Sequence, residues 1–164
     1  MKYHRRSIRL KGYDYSRPGA YFVTICLYGR EPYLEMAAVR AIAEGTWNTL
    51  PQRFPTIGLD DFVVMPDHVH FILWLRPDVQ NRPTLGRIVC AYKSLTARSA
   101  LGHLRTLGDV CGDHFWQRDY YDHIITHKAE LQEIRHYIRD NPYKQGGEVS
   151  TQYECSANTR PKSR

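Results

Sequence analysis

The stretch His68-Val-His-Phe-Ile-Leu-Trp-Leu75 restricts the fold more than any other part of the chain. Successive side chains of a strand point to opposite faces. Val69, Phe71, Leu73 and Leu75 therefore line one face, and His68, His70, Ile72 and Trp74 line the other. The first set is wholly apolar and demands a covering layer of helices. The second sets two imidazoles side by side on the face left over. A chain built around this segment needs a sheet with one packed face and one face open to chemistry.

The flanking patterns supply that sheet. Ala20-Tyr-Phe-Val-Thr-Ile-Cys-Leu-Tyr28, rich in β-branched and aromatic residues after Arg-Pro-Gly, reads as a first strand. Met36, Val39, Ala43, Trp47 and Leu50 recur at helical spacing, with Ile42 beside them, and Pro51 is expected to end that helix. Phe62–Met65 and Val69–Leu75 read as strands joined by a tight turn at Pro66-Asp67. Leu85, Ile88, Val89, Tyr92, Leu95 and Ser99 mark a second helix, and residues 102–112 a glycine-containing connector. Phe115–Ile125 reads as a fourth strand and about Lys128–Asp140 as a third helix, ended by Asn141-Pro142 because proline disfavours a helical residue before it.

The order β-α-β-β-α-β-α matches a ferredoxin-like split βαβ pattern. The expected class is α+β: an antiparallel sheet with helices on one face, and an additional C-terminal helix beside the open face. A chain of 164 residues fits one domain, expected over 1–146, with a polar and loosely held tail at 147–164. No apolar run approaches the ~20 residues a bilayer requires, and the N-terminus lacks the apolar region of a secretory signal. Cys26, Cys90, Cys111 and Cys155 form no CxxC pair, which argues against a zinc ribbon and suits reduced thiols. A cytoplasmic protein without a membrane partner is the expectation.

The net charge is +6, and Lys2, Arg5, Arg6, Arg9 and Lys11 fall in a stretch without an acid. That suits a phosphate-rich partner, and it equally suits a solvated basic end. His68 and His70, adjacent on one face, can ligate a single metal ion or simply be exposed. Tyr137 and Asn141, four residues apart, stack along the edge of the third helix's apolar stripe of Leu131, Ile134 and Ile138. If that helix lies on the open sheet face, the phenol approaches the histidines.

Together these segments resemble the single-tyrosine HUH transposases, and most closely the REP-associated tyrosine transposases and their insertion-sequence relatives. Met65-Pro-Asp-His-Val-His-Phe71 resembles the HUH motif. Phe115-Trp-Gln-Arg-Asp-Tyr-Tyr-Asp-His-Ile-Ile125 and Ile134-Arg-His-Tyr-Ile-Arg-Asp-Asn-Pro142 resemble later family blocks. Arg5–Tyr15 resembles the family's opening stretch and Ala91-Tyr-Lys-Ser-Leu95 its second helix, so the likeness spans roughly residues 5–146. It implies an enzyme that cleaves and rejoins single-stranded DNA at hairpin or palindromic repeats through a 5′-phosphotyrosine. Tyr137 would then be the nucleophile, and His68 and His70 the ligands of Mg²⁺ or Mn²⁺. Asn141 would stand where some relatives supply a glutamine ligand. Arg5, Arg6, Arg9, Lys93 and Arg118 are the expected DNA-backbone contacts. His123 is expected to support the site, or to be a satisfied structural histidine. The protein is expected to act as a monomer or homodimer.

Two other classes fit parts of the chain. A non-catalytic single-strand binder, such as a domesticated transposase, would stack bases on Tyr21, Phe22 and Trp74. A small H-x-H hydrolase would need a carboxylate near the histidines, and Asp67 alone offers one. The zinc deaminases are disfavoured by the missing PCxxC half of their motif.

Overall fold

A computed structural model describes residues 9–109 and 112–141. Arg5, Arg6, Cys111, Cys155 and the 147–164 tail lie outside the described residues. The elements run β1 (Gly19–Cys26), α1 (Ala37–Arg53), β2 (Ile57–Val64), β3 (His68–Leu75), α2 (Leu85–Thr106), β4 (Tyr121–Ile125) and α3 (Lys128–Asp140). Two short 3₁₀ turns lie between β1 and α1. The sheet order is β2-β3-β1-β4, with every neighbouring pair antiparallel. Strand β3 thus splits the β1-α1-β2 unit, as the ferredoxin-like pattern requires.

The alternation of β3 partitions the molecule. Val69, Phe71, Leu73 and Leu75 join Tyr21, Val23 and Ile25 of β1 in the main core, under Trp47 and Leu50 of α1 and Ile88, Val89 and Tyr92 of α2. On the opposite face a smaller cluster joins Ala20, Phe22 and Ile72 to Leu131, Ile134 and Ile138 of α3. Helix α3 is fastened at both ends by charge. Arg135 donates twice to Asp60 of β2, at 2.6 and 3.0 Å, and Arg139 pairs with Asp61. Near its start Glu130 accepts from His123 of β4 and from the Thr126 backbone.

Five details depart from the sequence reading. Helix α1 continues through Pro51 to Arg53: the proline's φ is already helical, and the one backbone bond it forfeits is offset by the packing of Trp47 and Leu50 in the same stretch. Strand β2 begins at Ile57, ahead of its purely apolar part. Helix α2 absorbs Gly102 and ends at Thr106, so the connector is shorter than expected. Its buried stripe includes Thr96 and Ala100, while Leu95 is 39% exposed and Ser99 faces solvent. Strand β4 spans only Tyr121–Ile125. Phe115 and Trp116 are buried core plugs outside it, Trp116 making an isolated bridge to Leu27 and donating its indole N–H to Thr96.

Candidate active site

The turn at Pro66-Asp67 aims the histidines. Its backbone is pinned by three bonds: Met65 N–H to the His68 carbonyl, Leu27 N–H to the Asp67 carbonyl and Leu34 N–H to the Pro66 carbonyl. Register then sets His68 opposite Cys26 and His70 opposite Thr24 on the face that α3 covers. The two Nε2 atoms converge to 3.0 Å. Their Nδ1 atoms are committed elsewhere, His68 to Asp67 at 2.6 Å and His70 to the Thr24 hydroxyl at 2.7 Å. Asp67 is in turn bridged by Arg30 Nε at 2.7 Å, and another nitrogen of that guanidinium donates to Cys26 Sγ.

Burial shapes the electrostatics. His70 is 1% exposed. Burial, then His68 when it is protonated, then the charge of Arg30, hold it well below the ordinary imidazole value, which favours the neutral ring that can ligate. Burial alone would raise Asp67, but the His68 hydrogen bond and the charges of His68 and Arg30 outweigh it and keep the carboxyl low.

Tyr137 leans onto this pair. Its ring centroid lies 5.4 Å from that of His70 and 6.1 Å from that of Phe22, edge-on to both. One turn later Asn141 ends α3, with its side chain buried and its amide nitrogen without a hydrogen-bond partner among the described residues. A buried amide with an unsatisfied end is costly and is ready to be oriented by a further group. The fold thus gathers His68, His70 and Tyr137 and brings Asn141 to the end of the same helix.

The other expected residues are placed differently. His123 shares the site face, opposite Phe22, where it bonds Glu130 and ties α3 to β4. Lys93 donates to the carbonyls of Gln117 and Arg118, while the Arg118 side chain is exposed. The Gln117 N–H holds the Cys26 carbonyl, so this segment flanks the His68 end of the sheet. Arg9 donates to the Tyr120 hydroxyl and lies over that ring. Tyr21 and Phe22 are fully buried, and the Trp74 indole N–H is spent on Asp60. The platform expected for base stacking is therefore not offered by Tyr21 or Phe22. Sequence reasoning missed Thr24 and Arg30, because their relation to the histidines emerges only from strand pairing and from a turn of positive φ.

Among the described residues no three His, Cys, Asp or Glu side chains gather as a metal site. An ion held by His68 and His70 would need amide, water or phosphate oxygens to complete its shell. The residues present fit such an ion. Two imidazole nitrogens converge, and each ring is oriented by a bond at its other nitrogen. Among the described residues no helix is long and apolar enough to cross a membrane.

The chain and its fold have counterparts among known proteins. A family model described as "Transposase IS200 like" matches residues 24–141. An uncharacterized protein of Haemophilus influenzae Rd is 31% identical over 166 aligned positions, covering 85% of this chain and 89% of its own length. The solved structure of a REP-associated tyrosine transposase bound to a REP hairpin superposes with a TM-score of 0.62 at 19% identity, covering 84% of this chain and 74% of that one. A candidate transposase of Deinococcus radiodurans R1 superposes with a TM-score of 0.54 at 20% identity, covering 80% and 95%. At these identities the two structures speak for the fold.

Proposed function

The chain belongs to the IS200-like transposases, and on that premise we propose that it cleaves and rejoins single-stranded DNA at hairpin-forming repeats, with Tyr137 as nucleophile. The observation that carries this reading is the edge-on contact between the Tyr137 ring and the buried, neutral His70. In the proposed step Tyr137 Oη forms a bond to a backbone phosphorus and the 3′ oxygen leaves. The phenolic proton is balanced by the one that completes the 3′-hydroxyl. A 5′-phosphotyrosine retains the energy of the broken phosphodiester, so the reverse attack by a 3′-hydroxyl needs no nucleotide cofactor.

His68 and His70 would hold a divalent ion, Mg²⁺ or Mn²⁺, with Asn141 as a third ligand. Such an ion polarises the phosphate and neutralises developing charge. The chain's own residues do the rest. Helix α3 fixes the line of approach of the phenol, and Phe22 and His70 confine its ring. Arg5, Arg6, Arg9 and Arg118 would meet the DNA backbone. That the solved relative is bound to a REP hairpin supports a hairpin partner for this chain too. A non-catalytic binder is the weaker reading, since two of its three stacking rings are buried.

The test is covalent capture. Wild-type protein incubated with single-stranded hairpin oligonucleotides gives a shifted band on a denaturing gel. Tyr137→Phe gives none while still retarding the DNA on a native gel. Adduct formation by the variant would move the nucleophile to another tyrosine.

A further inference from the structure

We propose that the two histidines are held asymmetrically, with Asp67 locking His68 in one tautomer while Thr24 allows His70 to exchange between two. The inference rests on the reading of His68 and His70 as ligands. Asp67, Arg30 and Thr24 enter as positioning residues that act through the imidazoles.

A neutral imidazole carries one N–H and one lone pair, and an ionised carboxylate only accepts. With His68 uncharged, the 2.6 Å contact between its Nδ1 and Asp67 Oδ1 puts the ring's single hydrogen on Nδ1 and leaves Nε2 as a bare lone pair. His70 Nε2 faces that lone pair at 3.0 Å, so it must donate. His70 Nδ1 is then bare and takes the Thr24 hydroxyl hydrogen at 2.7 Å. Donors run in one direction, from Thr24 to His70 to His68 to Asp67, with every atom of the chain satisfied.

A cation at this pair needs both Nε2 atoms as lone pairs. His68 already meets that condition. His70 must move its hydrogen to Nδ1, where it donates to Thr24 Oγ1. A hydroxyl serves as donor or acceptor by rotation about a single bond, so the exchange gains and loses no proton. Thr24 and His70 are each 1% exposed, which leaves Thr24 as the group that answers the change.

The lock on His68 is built more rigidly. The Asp67 backbone carbonyl accepts from Leu27 N–H, and its second carboxylate oxygen is held by Arg30 Nε at 2.7 Å. Arg30 reaches this position from a left-handed backbone, φ 58°, directly after Gly29 at φ 67°. A non-glycine residue rarely adopts that region. Its guanidinium also spans to Cys26 Sγ, opposite His68 in the sheet.

The experiment uses the full-length chain with ¹⁵N-labelled histidine. Long-range ¹H–¹⁵N spectra, recorded with and without Mg²⁺, read each tautomer directly. The expected result is His68 as Nδ1–H in both states, and His70 passing from Nε2–H to Nδ1–H when the ion is added. Calorimetry with Mn²⁺ supplies a second readout. Asp67→Asn and Thr24→Val should each bind about 10- to 100-fold more weakly, the range for lost partners of a ligand's outer nitrogen. Thr24→Ser, which keeps the hydroxyl, should bind as wild type. His70 in one tautomer throughout, or undiminished Mn²⁺ affinity in Thr24→Val, would overturn the proposal. If the wild type binds neither ion, the ligand reading itself falls. The ion-free spectrum then decides the tautomers alone, and His68 as Nε2–H overturns the lock.

Discussion

Asp60→Asn tests how the helix bearing Tyr137 is kept in place. Four donors converge on the two oxygens of Asp60: Arg135 Nε and the Asp61 N–H on Oδ1, and Arg135 Nη2 and the Trp74 indole on Oδ2, at 2.6–3.0 Å. An amide of the same shape keeps one oxygen and turns its NH₂ toward two of these donors. It also removes the charge opposite Arg135. Hydrogen bonds involving a charged group contribute about 1.5–3 kcal/mol each. The Asp60 side chain is only 10% exposed, but that of Arg135 is 25% exposed and can relax into water, which discounts the sum. A loss of about 2–3 kcal/mol follows. The cost should fall on α3 first, because only Leu131, Ile134 and Ile138 of that helix are buried. At about 1.4 kcal/mol per tenfold, native-state hydrogen exchange of the α3 amides should speed up by roughly 30- to 160-fold. Amides of β1 and β3 should change far less, and Tyr137 adducts should form more slowly with DNA affinity retained. Unchanged α3 protection, or a uniform loss across the sheet, would refute the idea that charge clasps this helix locally.

Other expectations are quicker to check. Asp60, Asp67 and Glu130 all have carboxyls held below their ordinary values of 3.8 and 4.5, because hydrogen bonds and cations outweigh burial. Their contribution to stability is complete above those values and is lost as pH falls through the lower folded ones; buried His70, held below its ordinary 6.5, adds an earlier decline below about pH 6.5, so urea midpoints should slope gently there and drop more steeply below about pH 4.5. A flat profile to pH 3 would remove them from the stability of the fold. DNA binding should weaken steeply with salt. About five phosphate contacts give a log–log slope near −3.5, and replacing Arg5, Arg6 and Arg9 with glutamine should make it shallower; an unchanged slope would clear the basic N-terminus of a role. Cleavage should stop in EDTA, return with Mg²⁺ or Mn²⁺, and fall steeply in His68→Ala and His70→Ala. Asn141→Ala should lose less, since water replaces a neutral oxygen more easily than an imidazole; a histidine variant as fast as wild type would sever the pair from the chemistry.

The sheet and the division of its faces were legible because β3 carries its own instructions. Its odd-numbered residues are all apolar while its even-numbered ones include both histidines, and the partition they imply is the one observed. The placement of α3 on the histidine face was only a condition in the sequence, and the structure meets it by seating the stripe of Leu131, Ile134 and Ile138 on Phe22 and Ile72. Phase and length were harder to read. Leu95 looked like the next core position of α2, yet Thr96 takes it, since its hydroxyl is satisfied by the Tyr92 carbonyl and accepts from Trp116. Phe115 and Trp116 looked like strand residues because burial and pairing favour the same side chains. Thr24 gave no sign of its role, because a residue opposite His70 is identified only after the register is known. Arg30 was hidden for a different reason: a left-handed arginine is a tertiary outcome that no local propensity announces.

Strand β1 has a consequence for how such a protein can change over generations. Tyr21, Val23 and Ile25 belong to the main core, whereas Ala20 and Phe22 pack beneath α3 and Thr24 bonds the buried histidine. Body and proposed chemistry are therefore written side by side in one short word, and Thr24 is the letter that belongs to the chemistry without belonging to either apolar cluster. Drift there can erase the proposed reaction in a descendant that still folds, whereas drift at the buried letters on either side unsettles the body itself. Lineages that keep this body for another use should therefore carry their first scar at Thr24.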